Sequence, residues 1–263
     1  MTSTDGKHLT RRSLLATAAG TALASASFAS EAHAFGDAGA FNPRILITGT
    51  SEWKGRRESA PKRWAQEMRR RTSAPARVRP TTVRADAPEL LAEPFAIWAG
   101  AKPPAALTRS EISGLRRFLG FGGVLLVDEF EPNRAKFLKA AQRELSRVLP
   151  HSSPIEIDGK NVVFRSFYYM SKATGRVQKS DKFKAILRRG AVQVIFSAND
   201  LLGALARDAG GVFPFECTPG REEQRKYAVR LAVNIAMYVL CSDYKDDQVH
   251  APFLMRRRAP ETL

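Results

Sequence analysis

The chain has 263 residues, 44% of them apolar, and carries 42 Lys and Arg against 26 Asp and Glu, a formal net charge of +16 with a pI near 10.4. That length holds one sizeable domain or at most two small ones. Only two cysteines are present, Cys217 and Cys241; without Cys-x-x-Cys spacing they argue against a metal or thioredoxin-like role and leave open whether they pair or stay free.

The N-terminus reads as an export signal. Arg11 and Arg12 precede Ser13, Leu14 and Leu15, and a mildly apolar Ala/Ser/Thr stretch leads to Ala32-His33-Ala34, a small-x-small cleavage site before Phe35. The pattern resembles a twin-arginine signal peptide, although Ala16 stands where a lysine is usual. Residues 1–34 are therefore expected to be removed, and residues 35–263 to form a single α/β domain with a basic C-terminal tail. Gly20 and the many small polar residues fit a retained membrane anchor poorly. No other segment can span a bilayer: "AVRLAVNIAMYVL" is too short and contains Arg230 and Asn234.

From Arg44 onward, strand-like and helix-like segments alternate. "RILITG" is a short apolar strand ending in Gly49. "SAPKRWAQEMRRR" reads as a helix with Ser59 as its cap and Pro61 in its first turn, where a missing N–H costs little; Trp64 and Met68 face inward one turn apart. "PFAIWAG" is a buried strand. Thr108 and Glu111 stand at capping-box spacing ahead of a helix with Ile112, Leu115, Phe118 and Leu119 on one face, stopped by Gly120, Gly122 and Gly123.

"VLLVDEF" is apolar on both faces, which implies cover from both sides and a parallel sheet. "NRAKFLKAAQRELSRVL" is a further amphipathic helix. Between Pro150 and Gly175 the pattern loosens, and "NVVFRSFYYM" reads as either a strand or a lid-like insertion. "AVQVIFSAND" is a strand with its polar residues at the end, and "EEQRKYAVRLAVNIAMYVL" a largely buried closing helix. The sum is one doubly wound α/β domain, three layers around a mostly parallel sheet.

The order of "PFAIWAG", "EISGLRRFLGFGGVLLVDE", "FRSFYYM", "VIFSANDLLG", "RLAVNIAMYVL" and "YKDDQVHAP" resembles the uncharacterised bacterial domain-of-unknown-function family 4159. The resemblance implies a flavodoxin-like, class I glutamine amidotransferase-like fold and work at the cell envelope, since some longer relatives join the domain to a membrane-anchored region. It brings no activity. Glutamine amidotransferases need a cysteine on a tight strand-to-helix turn; here the comparable strand ends in Asp128 and Glu129. Relatives tend to carry a histidine where this chain has Asn161.

Ligands of open parallel sheets sit beyond the carboxyl ends of the strands. There this sequence places Gly49, Thr50 and Ser51, then Gly100, then Asp128 and Glu129, then Ser197, Asn199 and Asp200. The five last named are the candidate catalytic set: Asp128 and Asp200 as acid and base or ligands of a hard cation, Asn199 and Ser197 as hydrogen-bonding groups. The competing expectation is that the two aspartates cap the helices that follow.

No cofactor is expected, because "GFGG" follows a helix and His151 and His250 lie far apart; Ser197 lacks a Gly-x-Ser-x-Gly elbow, which argues against a serine hydrolase. The tail residues Lys245, Asp246, Asp247 and His250 are expected to clamp back on the domain.

Basic residues crowd between Lys54 and Arg84, with Lys62, Arg63, Arg69, Arg70 and Arg71 the densest group. Export removes nucleic acid as a partner and leaves an anionic envelope component, an acidic protein or peripheral membrane contact, with a solvated basic surface that only aids solubility as the alternative. Two functions are therefore weighed: a non-catalytic periplasmic binding module with a basic face, and a hydrolase-like enzyme using the strand-end carboxylates.

Overall fold

The computed structural model describes residues 39–256. The N-terminal segment, with Arg11, Arg12 and the expected Ala34–Phe35 cleavage position, lies outside the described residues.

Seven strands form one mixed sheet: β1 (Arg44–Ile47), β2 (Thr82–Arg84), β3 (Phe95–Gly100), β4 (Val124–Glu129), β5 (Ile155–Ile157), β6 (Phe183–Arg188) and β7 (Ala191–Ser197). Their order is β2-β1-β3-β4-β7-β6-β5. The first five in that order are mutually parallel; β6 is antiparallel to β7, and β5 to β6. Five helices flank the sheet: α1 (Ala60–Arg71), α2 (Arg109–Gly120), α3 (Lys136–Val148), α4 (Leu201–Leu205) and α5 (Arg221–Arg256).

The pleat sorts the core into two layers, because successive strand residues point to opposite faces. Phe95 and Ile97 of β3 and Val124 and Leu126 of β4 pack with Trp64 and Met68 of α1 and with the apolar face of α5. Their neighbours Ala96, Trp98, Leu125 and Val127 pack instead with Leu115, Phe118 and Leu119 of α2 and Phe137, Ala141 and Leu145 of α3. Strands β3 and β4 are thus covered on both faces, as their unbroken apolar runs require. On the α1 face Trp64 is fully buried, packs on Phe41 and Phe95, and donates its indole N–H to the Ala232 carbonyl of α5 at 2.9 Å.

The expected capping box forms at α2: Thr108 Oγ1 accepts from the Glu111 amide while Glu111 accepts from the Thr108 amide at 2.8 Å. Ser59 does flank α1, but its side chain makes no capping bond there. Its hydroxyl pairs instead with the backbone of Arg207, accepting from that amide at 2.9 Å, and so joins the start of α1 to the end of α4.

The loose stretch after Pro150 holds the largest departure from the sequence reading. "NVVFRSFYYM" is neither a strand nor a separate insertion. It is a 3-10 turn at Val162–Phe164, capped by the Asn161 side chain accepting from the Val163 amide at 3.0 Å, and then a loop. The strands of this region are β5 and β6 on either side of it. The tail "YKDDQVH" is a continuation of α5.

Candidate functional site

The carboxyl ends of β4 and β7 are neighbours, with Asp128 in register with Ser197. The candidate residues therefore come together, and each is at most 1% exposed. The same pleat that splits the core splits the two carboxylates of β4. Asp128 points to the α1 layer and accepts the Leu201 and Leu202 amides at 3.0 and 2.8 Å, capping α4. Glu129 points to the other layer and accepts the Leu138 amide at 3.0 Å, in the first turn of α3, and the Glu131 amide at 2.9 Å. Ala135, which precedes α3 with φ 49°, has no side chain able to do this.

Asp200 stands before α4 with φ 55°, a left-handed conformation that aspartate tolerates better than most residues. It accepts the Gly203 amide at 2.9 Å and is held by two arginines: Arg57 Nε donates to Oδ1 at 2.9 Å, and Arg176 Nε donates to Oδ2. Gly203 is required, because a Cβ there would stand 2.3 Å from the Asp200 carboxylate.

Asn199 binds the preceding loop. Its Oδ1 accepts the Lys179 and Ser180 amides at 3.0 and 2.9 Å, and its Nδ2 donates to the Ser180 carbonyl at 2.7 Å. Ser197 stands beside Asp128, in register on the neighbouring strand.

Burial, then the nearby charge of Asp200, push the Asp128 carboxyl up to about 7, against the pull of the two amides and Ser197. Burial likewise raises Glu129, against its amide donors. Toward the β1 end, where the winding of the sheet reverses, the Gly49 amide donates to Glu111 at 2.6 Å. Over β4 and β7 the loop between β1 and α1 folds across the strand ends: Arg57 stacks on Phe130 and Phe215, with its guanidinium 4.3 and 4.1 Å from the ring centres, and donates to the Phe130 carbonyl at 3.2 Å. The polar rim is thus filled by the protein's own groups.

A second constellation lies on the α1 layer, where α1, α4 and the first turns of α5 enclose a recess of about 240 Å³. Arg63, Arg70, Arg71, Arg207, Arg225 and Lys226 line it, against the two carboxylates Glu67 and Glu222. Helical spacing builds it. Glu67, only 2% exposed, pairs with Arg63 four residues before it and with Arg70 and Arg71 three and four residues after, the last two at 2.7 Å. Burial opposes the charge on Glu67, but hydrogen bonds from Arg70 and Arg71 and the charge of Arg63 outweigh it and hold the carboxyl below its ordinary value.

Opposite, the guanidiniums of Arg207 and Arg225 lie 3.8 and 3.7 Å from the centre of the Phe213 ring. Arg225 is spent on the backbone, donating to the Ala204 and Phe215 carbonyls at 2.8 and 2.6 Å. Arg207 is spent only in part: its Nη1 donates to the Gly211 carbonyl, while its Nε–H is buried and meets no acceptor. Burial, with Arg63 beside it, holds the Arg207 guanidinium below its ordinary pKa.

Of the basic residues singled out in the sequence, Arg63, Arg70 and Arg71 line this recess, while Lys62 and Arg69 are exposed on α1 outside it. Arg207, Arg225 and Lys226 were missed; they come from segments more than a hundred residues away, and only the fold brings them to α1.

Among the described residues no group of three or more His, Cys, Asp and Glu is placed to hold a metal ion, and no helix is long and apolar enough to cross a membrane. Cys217 is buried, with burial raising its thiol to about 11; Cys241 is exposed, and neither is in a disulfide. Neither follows a strand as a glutamine amidotransferase nucleophile would.

Residues 44–240 match the family described as a domain of unknown function, DUF4159. The chain belongs to that family. The DUF4159 match begins at the first residue of β1 and ends within α5, so both the strand-end cluster and the basic recess fall inside it. No curated protein matches the chain.

Proposed function

We propose that this DUF4159 domain is a non-catalytic binding module of the cell envelope, exported to the periplasm by the twin-arginine route, whose basic recess takes an anionic group presented by a partner. The observation that carries the reading is the recess itself: six cationic side chains against two carboxylates, with one buried Arg207 donor that has no acceptor. A donor in that state costs on the order of 1–3 kcal/mol, which a phosphate or carboxylate oxygen would recover. Like charges crowded together also repel, and an entering anion relieves that.

The test is calorimetric titration of the full chain with tripolyphosphate. Arg70 and Lys226 have side chains 63% and 67% exposed; Arg70→Gln and Lys226→Glu reduce the positive charge of the recess, and Arg63 and Arg71 remain to pair with Glu67. Binding that weakens with salt, and by about tenfold in each variant, is the expected result; unchanged affinity in both overturns the reading.

The hydrolase reading through Asp128, Glu129, Ser197, Asn199 and Asp200 is favoured by one observation, the raised Asp128 carboxyl beside Asp200. Against it stands the occupation of these groups: backbone amides, and for Asp200 two arginines, take the acceptors a substrate would need.

A further inference from the structure

The 3-10 turn and the loop that follows it expose a run of apolar and aromatic side chains. Val162 is 57% exposed, Phe167 45%, Tyr169 78% and, beside them on α5, Tyr227 41%. They stand on a rigid base. Buried Asn234 of α5 accepts the Phe167 and Tyr168 amides at 3.2 and 2.6 Å and donates to the Tyr168 carbonyl at 2.8 Å.

This patch is continuous with the basic recess. Arg71, which lines the recess and pairs with Glu67, lies close enough to Tyr168 for the two to interact electrostatically. The Arg230 guanidinium lies 5.6 Å from the centre of the Tyr168 ring and 5.4 Å from that of Tyr227, one helical turn beyond the recess residue Lys226. Arg165 stacks on Tyr169 at 5.0 Å. One surface therefore carries a cationic hollow at one side and a projecting aromatic ridge at the other, with arginines between them.

We infer that this surface docks on an anionic lipid bilayer, the recess arginines taking headgroup phosphates and Phe167, Tyr169 and Tyr227 entering the interfacial zone. The inference rests on the anion-binding reading of the recess and names its partner. Amphipathic aromatic rings concentrate at the boundary between headgroups and acyl chains. Clustered Lys and Arg are drawn to anionic lipid, and apolar insertion with charge attraction is the general basis of peripheral binding. A protein partner would call for aromatic anchors central to a patch and a charged rim; here aromatic and cationic groups lie side by side.

The experiment is flotation of the full chain with vesicles of phosphatidylglycerol and phosphatidylethanolamine, and with vesicles of phosphatidylcholine alone. Comparing full-length variants makes any contribution of residues 1–38 common to all. The parent is expected to float with the anionic vesicles and much less with the neutral ones. The double variant Phe167→Ser with Tyr169→Ser is expected to float about tenfold less while its tripolyphosphate affinity and melting temperature stay at the parent value. Tyr169→Trp is expected to be quenched by brominated acyl chains.

Parental flotation of the double variant, or no quenching of the Trp probe, overturns the bilayer inference and leaves the recess reading standing. So does tripolyphosphate binding without vesicle binding, the result an acidic protein partner would give. Loss of tripolyphosphate binding from the aromatic variant would also overturn it, since the two halves of the surface would then not be separable.

Discussion

Asn234 and Tyr168 exchange two hydrogen bonds, the Tyr168 amide donating to Asn234 Oδ1 at 2.6 Å and Asn234 Nδ2 donating to the Tyr168 carbonyl at 2.8 Å. One polar side chain on the buried face of α5 thus fixes a loop sixty-six residues earlier. Asn234→Leu keeps the volume and strands three backbone groups. It is expected to lower stability by about 2 kcal/mol, and hydrogen exchange should show the Phe167 and Tyr168 amides losing protection while β3 and β4 keep theirs. Uniform loss across the sheet would contradict a local anchor.

Asp200 balances two arginines whose side chains are only 16% and 21% exposed. Asp200→Ala removes the balance and the α4 cap together, and a loss of about 3–5 kcal/mol in denaturant unfolding is expected. Asp200→Asn keeps the shape but not the charge and should also destabilise. A fully stable Asp200→Asn protein would show that the carboxylate is not structural and would restore the motive for seeking chemistry there.

The raised Asp128 carboxyl gives a pH dependence of definite sign. An unfolded aspartate titrates near 3.9, the folded one near 7. Between those values the folded state holds a proton that the unfolded state has lost, so this group's contribution is greatest below about pH 4, declines as pH rises toward 7, and is flat above. In Asp128→Asn that decline should vanish from a plot of unfolding free energy against pH, although the variant is less stable at pH 5 because an amide cannot accept from both Leu201 and Leu202. A parallel decline in the variant would assign the slope to other groups.

The proposed export makes a prediction of its own. Arg11→Lys with Arg12→Lys is expected to leave the chain in the cytoplasm with residues 1–34 attached, whereas the parent recovered from the periplasm should begin at Phe35. Mass measurement of the two fractions decides it.

Most of the fold could be read from the sequence because its strands and helices are long enough to show a period. The unbroken runs of β3 and β4 announced a sheet covered twice, and Thr108 with Glu111 announced the start of α2. Strands β5 and β6 escaped for the opposite reason: β5 has three residues, two of them exposed, and β6 alternates with lysine and arginine beside a loop. The partners of the candidate site were beyond the reach of local pattern. Asp128 caps a helix that begins more than seventy residues later, and Arg57 and Arg176 reach Asp200 across 143 and 24 residues. The basic recess was half visible, its α1 arginines plain in the chain and its α4–α5 side supplied only by folding.

The sheet ends at both sides in a three-residue strand, β2 and β5. Each offers few unpaired backbone groups, and charged side chains stand on both, Arg84 paired with Asp86 and Glu156 with Lys182. Short, charged borders are poor templates for strand addition by a neighbouring molecule. Crowded copies of this domain should therefore resist edge-to-edge strand pairing and stacking into fibrils, even at the high local density that a two-dimensional array would impose.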